Sequence, residues 1–86
     1  MYSVVFLPAA EKFYKKIYHS DQSHFKRIRQ AIQSLTTDPF QGKPLRHQLK
    51  GKYSLRVGAY RIIYSVAREK VTVYIFDIGH RRQIYL

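Results

Sequence analysis

The sequence predicts an α+β fold whose elements run in the order β-α-α-β-β-β. Two consecutive stretches in the first half repeat their apolar residues at spacings of three and four, whereas the second half alternates apolar and polar residues on a period of two. Between them lies a stretch rich in glycine, proline and positive charge that suits neither period. Two helices followed by a run of strands, rather than strict alternation, place the helices together against one face of a sheet.

Residues Tyr2 to Phe6 are rich in valine and aromatic residues and read as a strand, after which Pro8 suits the first turn of a helix, where its missing N–H costs nothing. Ala10, Phe13, Tyr14 and Ile17 form an i, i+3, i+4, i+7 stripe, while Glu11, Lys12, Lys15 and Lys16 occupy the other faces. Near Ser20 and Asp21 the side chains can accept from the free N–H groups of a second helix, whose stripe is Phe25, Ile28, Ile32 and Leu35. That helix stops by Asp38, because the residue before Pro39 is pushed out of the α region. Gly42, Pro44 and Gly51 then keep residues 37–52 irregular, as a basic loop.

Two short helices joined at His19 to Asp21 lie roughly antiparallel, with an apolar stripe that a sheet must cover. Tyr53, Leu55 and Val57 alternate, Gly58-Ala59 makes a turn, and Ile62, Tyr64 and Val66 alternate on the way back. After the polar turn Arg68-Glu69-Lys70, the run VTVYIFDI is β-branched and aromatic enough for a central strand, ended by Gly79. The 86 residues suffice for one domain spanning 1–86 and are too few for two.

Composition narrows the function classes. Cysteine is absent, which excludes disulfides, thiolate metal sites and a cysteine nucleophile, and fits the cytoplasm. The N-terminus lacks the charge order and apolar run of a secretory leader, and no stretch is long enough to span a membrane. Sixteen Lys and Arg against five Asp and Glu give a formal charge of +11. No acidic residue lies between Asp38 and Glu69, yet Lys43, Arg46, Lys50, Lys52, Arg56, Arg61 and Arg68 all fall there. Such clustering points to a polyanion, and to nucleic acid first.

On a period of two, Arg56 and Arg61 face away from Leu55, Val57 and Ile62, so both arginines share the open face of the second-half hairpin, beside the basic loop. The ending IGHRRQIY adds His80, Arg81, Arg82 and Tyr85 just past the central strand. Lys, Arg, His and Tyr without paired carboxylates suit attack of a ribose 2′-hydroxyl on its own 3′ phosphate, which needs a base, an acid and cations for the phosphorane charge but no metal or cofactor. The five carboxylates and four histidines show no ligand spacing, Ser54 lacks a nucleophile elbow, and no glycine-rich phosphate cradle precedes a helix. Each candidate also has a structural reading: Arg61 as a cross-strand partner of Asp77, His80 as a structural hydrogen bond, and Tyr85 as a cap on the core edge. Tyr64 and Tyr74 read as packing residues.

Taken together, YSVVFLPAAEKFYKK, LTTDPFQGKPL, LKGKYSLRVGAYRIIYSV and VYIFDIGHRRQIY resemble the RelE/ParE superfamily of toxins from type II toxin–antitoxin modules, over nearly the whole chain. The resemblance, to the RelE-like branch, implies the RelE-like fold: a mostly antiparallel four-stranded sheet with a two-helix hairpin packed on one face. It also implies cleavage of mRNA in the ribosomal A site, inhibiting translation. Carried over by position, Arg61 would stabilise the transition state, Arg81 would contact phosphate and assist the leaving group, Tyr85 would stack on the substrate base, and Lys52 would serve substrate activation. Where RelE-like sequences can carry a second lysine, this chain has Ser54, which leaves the general base open between His80 and, less directly, His47. The remaining basic residues, Lys43, Arg46, His47, Lys50, Arg56 and Arg82, would bind RNA. The implied partner is an acidic RelB-like antitoxin in a hetero-oligomeric complex. A ParE-like inhibitor of DNA gyrase and an inactive RNA-binding relative are the other readings.

Overall fold

The computed structural model describes residues 1–80. The chain opens with strand β1 (Ser3–Phe6) and turns at Leu7 into helix α1 (Pro8–Ser20), with its proline in the first turn as expected. Asp21 is at once the C-terminal cap of α1 and the N-terminal cap of α2 (Gln22–Leu35). Its backbone N–H donates back to the Ile17 carbonyl, while its carboxylate accepts the His24 N–H at 3.2 Å. The His24 backbone, then its imidazole 2.6 Å away, hold the Asp21 carboxyl below the usual carboxylate range. A single residue therefore turns the hairpin, and Tyr14 and Phe25 join its two arms at a centroid distance of 4.9 Å.

The strands form one mixed sheet in the order β1-β5-β4-β3-β2. β3 (Tyr53–Val57) and β4 (Tyr60–Ala67) make the expected hairpin, turning at Gly58 with φ +60° and negative φ at Ala59, the pattern of a II′ turn. β5 (Thr72–His80) pairs antiparallel with β4 and parallel with β1. Two details differ from the expectation. The basic loop contributes a fifth, two-residue strand, β2 (Lys43–Pro44), on the β3 edge, and a single 3₁₀ turn at His47–Leu49. And β5 does not end at Gly79 but runs through it, because Gly79 keeps its place in the ladder opposite Arg61.

The helices cover one face of the sheet. Ala10, Ile17, Ile28, Ile32 and Leu35 pack against Val57, Ile62, Tyr64, Val73, Ile75 and Ile78 in one cluster. Each fully buried isoleucine contributes about 1.5–3 kcal/mol by leaving water. Tyr64 is the packing residue its position implied: fully buried, stacked on Tyr53 at 5.4 Å, with its hydroxyl accepting the Gly42 N–H at 2.9 Å. Burial pushes its phenol up from the ordinary value, against the pull of that hydrogen bond. A Cβ on Gly42 would stand 2.6 Å from the Tyr64 hydroxyl, so glycine is what lets the loop dock. Neither helix is long and apolar enough to cross a membrane.

One irregularity decides which way the end of β5 faces. Ile63 pairs with Asp77 and Tyr64 with Ile75, leaving Phe76 as an extra residue, a β-bulge. Phe76 and Asp77 consequently both lie on the face away from the helices, and the alternation beyond them is shifted by one residue.

Candidate functional site

Residues paired across antiparallel strands share a face. On the face opposite the helices the register therefore brings together Lys43 and Ser54 on β2 and β3, Arg56 and Arg61 on β3 and β4, and Gly79 beside Arg61 on β5. Lys52, one step before β3, keeps the same parity. Its ammonium lies 4.6 Å from the centroid of the Phe76 ring on this side, a cation–π contact that fixes where the charge sits. The result is a floor with four cations whose centre is short: Gly79 has no side chain, and Ser54 is only 3 % exposed.

Ser54 holds Arg61. Its hydroxyl accepts from Arg61 Nη1 at 3.2 Å, which fixes the guanidinium across β3 and β4. The serine that the sequence offers where a second lysine was expected is thus a group that orients an arginine. Asp77 is a diagonal neighbour: it stands opposite Ile63, and its carboxylate accepts the Ile78 N–H at 2.9 Å. Arg56 reaches forward to the turn, donating from Nε to the Gly58 carbonyl at 3.4 Å, and remains exposed.

Other expected site residues fall elsewhere. Arg46, His47 and Lys50 are exposed on the connection from β2 to β3, off the floor; His47 has φ +58°. That connection is tied to the sheet by Leu45 N–H to the Lys52 carbonyl at 2.9 Å and Lys52 N–H to the Leu49 carbonyl at 3.0 Å. Arg68 lies in the β4–β5 turn over the Phe40 ring, at the other end of β4 from Arg61. His80 pairs with Tyr60 and, past the bulge, faces the helices, on the opposite side of the sheet from Arg61. Its ring stands 6.0 Å from Tyr60 and lines a cavity with Phe13, Lys16, Ile17 and Ser20. Arg81, Arg82 and Tyr85 lie outside the described residues.

Sequence reasoning did not single out Phe76 or the service of Ser54 to Arg61. The period-two spacing of Lys52, Ser54 and Arg56 was a signal for Ser54, and alternation from Val73 and Ile75 was a signal for Phe76 on the same face. Chemically, the arrangement can grip a phosphodiester. A guanidinium held by a buried hydroxyl presents a forked pair of donors, and three further cations share its face.

Comparison with known proteins follows the same lines. The family model for the ParE toxin of type II toxin–antitoxin systems matches residues 4–85. Toxin RelG of Mycobacterium tuberculosis is 43 % identical over 56 residues, 64 % of this chain and 64 % of that toxin's length. Among solved structures, the RelBE2 toxin–antitoxin complex of M. tuberculosis contains a chain superposing with a TM-score of 0.80 at 33 % identity, covering 93 % of this chain and 98 % of that one. The isolated Escherichia coli RelE toxin superposes with a TM-score of 0.80 at 22 % identity, covering 99 % and 92 %.

Proposed function

The chain belongs to the ParE toxin family of type II toxin–antitoxin systems, within the RelE/ParE superfamily, and from that premise we propose that it is a metal-independent endoribonuclease that cleaves mRNA in the ribosomal A site. The observation that carries this reading is the seating of Arg61: a guanidinium held by buried Ser54, facing Arg56 across the hairpin and flanked by Lys43 and Lys52. A protein that only bound another protein would not need a phosphate-gripping fork on the open face of its sheet.

In the proposed reaction the ribose 2′-oxygen attacks the adjacent phosphorus, the bond from phosphorus to the 5′-oxygen breaks, and the products are a 2′,3′-cyclic phosphate and a 5′-hydroxyl. Arg61 stabilises the phosphorane, a contribution of about 2.7–4 kcal/mol if it matches an oxyanion-hole donor. Lys52, held over Phe76, assists activation of the 2′-hydroxyl. Arg81 and Tyr85, carried over from the family, would contact phosphate and stack on the base. His80 faces the other side of the sheet, which favours Lys52 over His80 as the group nearest the 2′-hydroxyl. Lys43, Arg46, His47, Lys50, Arg56 and Arg82 would contribute RNA contacts. The partner that restrains this activity would be an acidic antitoxin, matched to the +11 charge and consistent with the M. tuberculosis toxin–antitoxin complex, and the working compartment would be the cytoplasm.

The test adds the purified protein, with chelator present, to ribosomes translating a defined mRNA and maps new 5′ ends by primer extension. Cuts within A-site codons that disappear with Arg61→Ala, while ribosome binding survives, are expected. Equal loss of binding and cutting would remove the transition-state role from Arg61. The match to a ParE-toxin model supports one other reading, inhibition of DNA gyrase. Absence of cuts from folded protein that instead blocks supercoiling would establish it.

A further inference from the structure

On the helix side of the same sheet end lies a cavity of about 230 Å³ lined by Phe13, Lys16, Ile17, Ser20, Tyr60 and His80. Clefts that take drug-sized ligands run from roughly 300 to 1,000 Å³, so this one is sized for a single ring system with its substituents. We propose that it is a subsite for one nucleotide of single-stranded RNA, with the base among Phe13, Tyr60 and His80 and a phosphate on Lys16. The inference rests on the RNA-cleaving reading above and extends it across the sheet end.

The walls have the chemistry of a base platform. Tyr60 is the centre: Phe13 lies 5.7 Å from it at 59°, His80 6.0 Å at 75°, and His24, behind it, 5.0 Å at 72°. Tilted rings around one ring leave π-surfaces facing a shared space, and every base has a π-face to offer them. Asp21 Oδ2, 2.6 Å from His24 Nδ1, fixes the ring that backs Tyr60. At the rim, Ser20 Oγ donates to the Lys16 carbonyl at 3.0 Å, so its remaining capacity is as an acceptor, suited to an amino or imino N–H of a base. Lys16 is exposed and supplies the cation, and no carboxylate is among the lining residues.

Position links this cavity to the phosphate-gripping face. The pair Tyr60–His80 precedes the pair Arg61–Gly79 by one residue along β4, and successive residues point to opposite faces. With a rise of about 3.3 Å per residue, both sit at the Gly58 end of the sheet, so a strand crossing the edge meets Arg61 on one side and the cavity on the other. An acidic peptide matches the site less well. A carboxylate would use Lys16 but has no proton for Ser20 and no π-face for the three rings.

The experiment is NMR of the full-length protein titrated with an RNA trinucleotide carrying 2′-O-methyl groups, which cannot be cut, and separately with the peptide Glu-Tyr-Glu. Side-chain signals of Phe13, Tyr60 and His80 report on the cavity, and the Arg61 guanidinium reports on the other face. Both sets are expected to move with the RNA. Lys16→Glu, a change at an exposed position, is expected to weaken the cavity response about 10-fold and leave the Arg61 response in place. Movement of Arg61 alone would overturn the subsite and leave the nuclease reading standing. Silence of both sets would overturn the subsite, while the primer-extension assay on ribosomes decides the nuclease reading separately. Cavity signals that move with the peptide and not with the RNA would make this a protein anchor and overturn the proposal.

Discussion

Salt dependence tests the basic floor most directly. Four cations, Lys43, Lys52, Arg56 and Arg61, share the face opposite the helices. If each neutralises one phosphate of a single strand, the slope of log K against log salt is about −0.7 per contact, or about −2.8 in all, and affinity falls about 50-fold between 50 and 200 mM salt. Arg56 is the cation to remove, since it is exposed and its bond to the turn carbonyl of Gly58 is long. Arg56→Gln should bring the slope to about −2.1 and the fall to about 20-fold. Lys26→Gln, on the exposed side of α2, should leave the slope where it was. Fluorescence anisotropy of a labelled, 2′-O-methylated hexanucleotide across that salt range gives each slope. A wild-type slope flatter than about −1, or one unmoved by Arg56→Gln, would refute the claim that these side chains act together on phosphates.

Further outcomes concern what holds the site in place. Tyr64→Phe keeps the ring on Tyr53 but strands the Gly42 N–H in a buried setting, at a cost of about 1–3 kcal/mol, read as a lower urea midpoint with an unchanged m-value. An unchanged midpoint would show that the loop is not anchored there. Val71 is β-branched at φ +48° and 45 % exposed, so Val71→Gly should raise stability by about 1 kcal/mol, or 4–8 °C in Tm. A fall in Tm would mean the side chain contributes more than the strain. Because Asp21 is held below its ordinary range, its contribution is complete above about pH 4 and is lost as pH falls through the folded-state value. Asp21→Asn preserves a capping oxygen, so its Tm deficit should be present at pH 7 and shrink as pH is lowered below about 4. A deficit that persists in acid would place the effect in the hydrogen bond rather than the charge.

The legible parts of this fold were those where burial is one-sided. The stripes Ala10, Phe13, Tyr14, Ile17 and Phe25, Ile28, Ile32, Leu35 and the alternations in β3 and β4 place the helices and hairpin, and with them Arg56 and Arg61 on a common face. Three features left no such trace. β2 is two residues long and contains a proline, so it carries no period. Gly79 reads as a terminator, yet a glycine opposite an arginine needs no side chain to hold its place in a ladder. The bulge at Phe76 is set by cross-strand pairing, which local patterning does not encode. An unbroken count from Ile75 would put Phe76, Ile78 and His80 all on the Arg61 face; the extra residue leaves Phe76 there, under Lys52, and sends Ile78 and His80 to the helix side.

The ladder between β1 and β5 has a temporal meaning as well as a spatial one. Ser3 pairs with Thr72 and Phe6 with Ile75, so β1 waits for β5, the first of the described strands for the last. Closing a loop of about 70 residues costs on the order of 4 kcal/mol in chain entropy, and nothing shorter can complete this edge of the sheet. Until β5 has emerged, a growing chain has neither the strand that β1 requires nor the glycine that stands across from Arg61. For a protein whose proposed target is the translating ribosome, the machine that makes it would have to deliver β5 before the surface carrying Arg61 existed.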